Sequence, residues 1–276
     1  MTHSKSNTST WLREHWFELL LAIVILTALT ISPASLRAEE KALPSGEQVL
    51  DDYLKATGGK KIRNKLTNRV TVASLSLEAQ GIQLNMTIHS SRPNRNYTVV
   101  ESEFTGKIEK GSDGNTVWEI SDMMGPQVKD GQERADFLRE AHFDRFADWR
   151  ELYSRAECAG IETVDDHATY KVLMTPKSGK EQAMYFDTES NLLVKHEFVI
   201  ENPMGTIPVT SYVSDYREVD GVLMPFEIKA VVMGQERVLI TESIEHNVDL
   251  PAGRFELPQA IQTLLEDSDT TSDKKG

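Results

Sequence analysis

From Arg69 to His246 the chain repeatedly places apolar residues at every second position. The clearest stretch is Ile82, Leu84, Met86 and Ile88, alternating with Gln83, Asn85, Thr87 and His89. Successive side chains of a strand point to opposite faces, so this pattern belongs to a strand with one buried side. Ala168, Tyr170, Val172 and Met174 repeat it, as do Leu192, Val194, His196, Phe198 and Ile200. Further strands fit residues 96–100, 107–110, 115–120, 181–186, 206–216, 222–233 and 237–246. Turn residues separate them, among them Ser178-Gly179, Asp220-Gly221 and Met233-Gly234. Parallel neighbours need long crossovers, and most of these links are short. The expectation is roughly ten or eleven antiparallel strands. Val70 and Val72 share one parity and Leu75 and Leu77 the other, which predicts a β-bulge at Ala73-Ser74.

Two segments break the period. Val49, Leu50, Tyr53 and Leu54 make one apolar helix face, stopped by Gly58-Gly59. Between Gly131 and Tyr153, Ala135, Leu138, Ala141, Phe143, Phe146, Trp149 and Leu152 fit one helical face or two short helices. So few helices cannot cover so many strands, and one sheet face must curl around the helices or around a ligand. The fold class is expected to be mainly β with α: a strongly curved antiparallel sheet with helices on its concave side.

The N-terminus reads differently. A polar start carrying Lys5 and Arg13 precedes Phe17–Ile31, an apolar run of about 15 residues where a spanning helix needs roughly 20. Small residues follow at Ala34 and Ala38. Residues 1–38 are expected to be a cleaved export signal, with an uncleaved inner-membrane anchor as the alternative. The folded domain is then 39–262, and the charged stretch 263–276 is expected to be a disordered tail. The formal charge of −13, from 30 Lys+Arg against 43 Asp+Glu, argues against nucleic-acid binding, which rests on cations meeting phosphates. The single cysteine, Cys158, allows no internal disulfide and no Cys-based zinc site.

Catalytic signatures are missing from the sequence: no Gly-x-Ser-x-Gly, no His-Glu-x-x-His and no phosphate-binding glycine loop. His142 with Asp144, and Asp165-Asp166 with His167, are neighbours expected by chance among so many acids. The chain is not expected to be an enzyme or to hold a metal or cofactor. What stands out is apolar material. Trp118, Ile120, Met123 and Met124 lie at one strand end, and Phe137, Leu138 and Phe143 on the helical insertion. Methionines and aromatics suit an adaptable apolar pocket, and these seven are the expected lining. Lys60, Lys61, Arg63 and Lys65 form part of the one basic cluster, a solvated surface or a docking patch for an acidic partner or anionic head groups.

Several short motifs carry a resemblance. Ser91-Arg92-Pro93-Asn94 at a strand end is followed by Gly111-Ser112-Asp113-Gly114-Asn115-Thr116-Val117-Trp118. Tyr53-Leu54-Lys55-Ala56-Thr57-Gly58-Gly59 precedes them. Asp215-Tyr216-Arg217-Glu218-Val219-Asp220-Gly221-Val222-Leu223-Met224-Pro225 and Phe255-Glu256-Leu257-Pro258 follow. In order and spacing, from about Gly46 to Pro258, they resemble the LolA-like outer-membrane lipoprotein carriers and lipoprotein-sorting proteins, as a distant relative with a longer second half. The resemblance implies an unclosed barrel, helices as a lid over an apolar cavity, and a strand arginine, here Arg92, that contacts the lid and holds it closed. It implies a periplasmic carrier that sequesters the acyl chains of a lipid or acylated lipoprotein, working with partner proteins at the inner or outer membrane. The alternative is a non-enzymatic periplasmic assembly protein that uses its sheet edge or basic patch to bind a protein partner.

Overall fold

The structure, a computed structural model, describes residues 42–103, 106–202 and 205–272. The 1–38 segment therefore lies outside the described residues. Thirteen strands form one sheet in the order β6-β5-β4-β3-β2-β1-β13-β12-β11-β10-β9-β8-β7. They are β1 Asn68–Leu77, β2 Ile82–Ser91, β3 Arg95–Ser102, β4 Gly106–Ser112, β5 Val117–Ser121, β6 Gly125–Lys129, β7 Tyr153–Val164, β8 His167–Pro176, β9 Gln182–Asp187, β10 Leu193–Asn202, β11 Gly205–Val219, β12 Val222–Val232 and β13 Gln235–His246. Every pairing is antiparallel. Two meanders, β1–β6 and β7–β13, join where β1 pairs with β13, and β6 and β7 are left as edges. Asp220-Gly221 and Met233-Gly234 have φ of 52° and 79°, and of 52° and 75°. These are two-residue turns whose twist matches that of the strands they connect. The register against β13 shifts between Val72 and Ala73, but the extra residue is Glu242 of β13, and β1 runs unbroken against β2; this corrects the bulge expected in β1 at Ala73-Ser74.

The two strands beyond the expected eleven are β6 and β7, the edges. β6 is five residues with Pro126 in it, and β7 is mostly polar. Edge strands tolerate proline and bury little, so neither carries an alternating apolar signal.

The helices are α1 Gly46–Ala56, α2 Gly59–Arg63, α3 Gly131–Glu140, α4 Trp149–Leu152 and α5 Gln259–Ser272. Helix α3 touches both β5 and β10, eight places apart in the sheet order, so the sheet curves around it without closing. Helix α1 starts at Ser45, whose hydroxyl accepts from the Gln48 N–H at 3.1 Å. Its Val49, Leu50 and Tyr53 pack on Val172, Met174, Met184, Phe186 and Leu193 with Trp149 and Tyr153, forming the main core. Each fully buried aliphatic side chain there contributes about 2–3 kcal/mol. Glycines pin the helix at both ends. A Cβ on Gly46 would lie 2.5 Å from the Ala156 backbone in β7, and one on Gly58 would lie 2.4 Å from the Gly221 carbonyl oxygen in the β11–β12 turn.

Helix α5 occupies the stretch expected to be a disordered tail from 263, and this corrects that expectation. Ile261, Leu264 and Leu265 recur at helical spacing, Ile261 is fully buried, and α5 packs on β6. Buried apolar area is what a disordered tail lacks.

Candidate functional site

Residues directly opposed across an antiparallel ladder share a face. One such row runs Arg69, Ser90, Asn96, Ser112, Val117 and Lys129 across β1 to β6. Phe137 and Glu133 of α3 lie against Val117 and Lys129, so this row is the concave face. The next row runs Val70, His89, Tyr97, Gly111 and Trp118, and is the convex face. Arg69 thus points from β1 into the interior.

There it meets the loop after α3. Phe143 is buried, with its ring centroid 5.3 Å from the Arg69 guanidinium carbon and 4.9 Å from that of Arg92. Asp144 beside it is 4% exposed and central to the cluster. Its Oδ1 accepts from Arg63 Nη1 at 3.1 Å, and its Oδ2 accepts from Arg92 Nη2 at 3.2 Å. Arg92 further donates from Nε to the Leu66 carbonyl at 2.8 Å and from Nη2 to the Arg63 carbonyl at 3.0 Å. Arg63 donates to the Thr57 carbonyl and hydroxyl. The backbone completes the link, since the Phe143 N–H donates to the Pro93 carbonyl at 2.9 Å. One arginine at the β2–β3 turn therefore joins the segment after α2 to the segment after α3. A planar guanidinium can reach three acceptors at once, which an ammonium cannot do in a fixed geometry.

Beneath this cluster lies a cavity of about 290 Å³. Part of its lining is apolar: Leu193, Val213, Leu223, Met224 and Ile228. The rest is charged or polar: Arg63, Arg69, Glu140, Asp144 and Arg145, with Tyr53 and Tyr216. Glu140 and Arg145 form an ion pair. Burial pushes the Glu140 carboxyl up, but Arg145, and beyond it Arg139, outweigh this and hold it below the usual range. Burial and the nearby Arg63 lower Arg69 to about 10, so it remains charged at neutral pH. Burial and Arg145 bring His196 of β10 down to about 4, and its Nε2 lies 3.1 Å from Gln182 Oε1. The His196 ring is therefore neutral.

No protein-family model matches the sequence, and no curated protein does. Solved structures match closely in shape. A DUF1329 family protein from Desulfovibrio piger has a TM-score of 0.54 at 14% identity, covering 76% of this chain and 96% of its own. A LolA superfamily protein from Nitrosomonas europaea has a TM-score of 0.53 at 14% identity, covering 78% and 99%. An outer membrane lipoprotein-sorting domain from Vibrio parahaemolyticus has a TM-score of 0.51 at 12% identity, covering 80% and 99%. The chain has a LolA-like fold.

Within that LolA-like frame the expected pocket residues do not form one pocket. Phe143 alone of the seven lines the central cavity. Trp118 belongs to the convex row: its ring lies 6.1 Å from that of Tyr97, which in turn carries the Arg254 guanidinium at 5.0 Å. Ile120, two residues on, shares that face. Met123 and Met124 are 80% and 71% exposed in the β5–β6 turn, beyond the sheet. Phe137 lines a separate groove with Val117 and Glu119, which Trp118 also borders, and Leu138 lines a surface hollow with Asn94 and Leu152. The sequence reading grouped neighbours along the chain, whereas strand alternation and a tight turn send them to different sides.

The basic cluster divides as well. Lys60, Lys61 and Lys65 are exposed, while the Arg63 side chain turns inward to Asp144 and is 12% exposed. Arg63 is therefore part of the cavity wall rather than of an outer docking patch. The reading missed Asp144, Arg69, Glu140 and Arg145. Glu140, Asp144 and Arg145 show in the sequence only as charges among the apolar residues of the 131–153 stretch, and Arg69 only as the last of a basic run, patterns that also describe a solvated surface.

Proposed function

We propose that this LolA-like chain is an exported carrier that sequesters an acyl chain of a lipid or lipoprotein between its helical cover and its curved sheet. One observation carries the reading. Arg92 and Arg63 meet on Asp144 above a part-apolar cavity, a polar tie set beside the hydrophobic packing of α1, Phe143 and Trp149 on the sheet. Burying an acyl chain contributes about 0.8 kcal/mol per methylene, so about ten methylenes supply on the order of 8 kcal/mol before ordering costs. In this reading Arg92 is the lid latch. The closed, empty state it stabilises competes with the loaded one, and cargo can therefore be handed on. Lys60, Lys61 and Lys65, exposed beside the cover, would dock on anionic head groups or an acidic partner at a membrane.

The test is mass spectrometry of an organic extract of the purified protein, with a fluorescent fatty-acid probe titrated into delipidated material. Co-purifying acyl species and saturable micromolar binding are expected. An acyl-free extract together with no saturable binding would overturn the carrier and favour a protein that assembles with a partner through its surface.

A further inference from the structure

The charges of the central cavity do not balance. Asp144 is shared by Arg63 and Arg92, and Glu140 is taken by Arg145. Asp148, at the rim, lies 3.9 Å from Arg92. Arg69 is left over. Among the described residues its guanidinium makes no ion pair or hydrogen bond, and its one close partner is the Phe143 ring. Arg69 is half-buried, and a charge withdrawn from water without a partner costs free energy and is ordinarily paired. Here the excess cation sits in a chain of net charge −13, which has acids in plenty to pair it. A ring face compensates a guanidinium only in part. The donors of Arg69 open onto a cavity that Leu193, Val213, Leu223, Met224 and Ile228 also line. A ligand that satisfies both kinds of lining has an anionic oxygen group at one end and an aliphatic chain at the other.

We propose that Arg69 is the anchor for the anionic head, carboxylate or phosphate, of a single-chain amphiphile whose first methylenes lie on the β10–β12 wall. This rests on the carrier reading and names its ligand class. At about 290 Å³ the cavity is at the lower end of small-molecule pockets. It holds a head group and the start of one chain, and the rest of the chain continues along the concave sheet. The guanidinium fork matches two oxygens of such a head.

The experiment compares delipidated full-length protein with a sixteen-carbon fatty acid, the alcohol of the same length, and inorganic phosphate, by calorimetry at a pH where the acid is ionised. The wild type is expected to prefer the acid to the alcohol by about 10- to 100-fold, the range of a charge-assisted hydrogen bond. Arg69→Gln is expected to abolish that preference while keeping the alcohol affinity, and Arg69→Lys to keep part of it. Because Arg69 makes no ion pair or hydrogen bond that the substitution would break, ligand-free Arg69→Gln is expected to melt no lower than wild type. A structural arginine would give the opposite result. Equal binding of acid and alcohol by wild type overturns the anchor and leaves the carrier standing. Phosphate binding as tight as the acid makes this a free-anion site and also overturns it. Binding of none of the three removes both readings.

Discussion

The Arg92–Asp144 contact can be measured by a double-mutant cycle, with Arg92→Met and Asp144→Asn. Arg92 makes three hydrogen bonds of 2.8–3.2 Å to Leu66, Arg63 and Asp144. Its side chain is 28% exposed and that of Asp144 is 3% exposed. A hydrogen bond involving a charge contributes about 1.5–3 kcal/mol, and stripping one partner from a buried pair costs about 3–5 kcal/mol. Arg63 stays on Asp144 and solvent reaches Arg92, so the lower end applies, and Arg92→Met should cost about 2–3 kcal/mol. For a domain of this size that is a fall in melting temperature of about 4–12 °C. The coupling term between the two substitutions should be about 1–2 kcal/mol. Hydrogen exchange should accelerate in residues 59–66 and 141–149 more than in β8 and β9. Bound fatty-acid probe should leave Arg92→Met more slowly than wild type, since the competing closed state is weakened. A coupling under 0.3 kcal/mol with unchanged exchange would reduce Arg92 to a surface residue.

Three further outcomes follow from the same geometry. Burial and Arg145 depress His196 to about 4 from an unfolded value near 6.5, so its neutral ring supports folding above pH 6.5, and that support is lost as pH falls toward 4. His196→Gln should flatten the acid limb of stability against pH by up to about 3 kcal/mol, and an unchanged limb in urea titrations would show that other groups control it. Gly58→Ala, at φ 108° and with its Cβ 2.4 Å from the Gly221 oxygen, should lose more than about 2 kcal/mol in chemical denaturation, whereas a neutral result would mean that the α1–α2 junction can shift. Met123→Ser with Met124→Ser should leave stability within about 0.5 kcal/mol and fatty-acid probe binding unchanged, because both side chains are exposed; weakened probe binding would place the cargo at that turn.

The sequence alone determined the periodic part of this protein. Alternation in β2 and β8, the glycine-terminated α1 and the helical stretch between Gly131 and Tyr153 are all local consequences of which residues stand two or four apart. So is the antiparallel connectivity, because short turns leave no other choice. The tertiary structure decided which residues meet. Arg69 and Trp118 both lie on strands, yet one points into the cavity and the other to the convex side, and that choice is set by register across five strands. Arg63, one of a run of basic residues, turns inward because Asp144, 81 positions away, lies beneath it. Ile261 forms a helix because β6 offers a surface to cover. Periodicity is a property of near neighbours and survives in one dimension. Charge pairing and burial depend on distances between remote segments, and these exist only once the sheet has curved and the helices have closed over it.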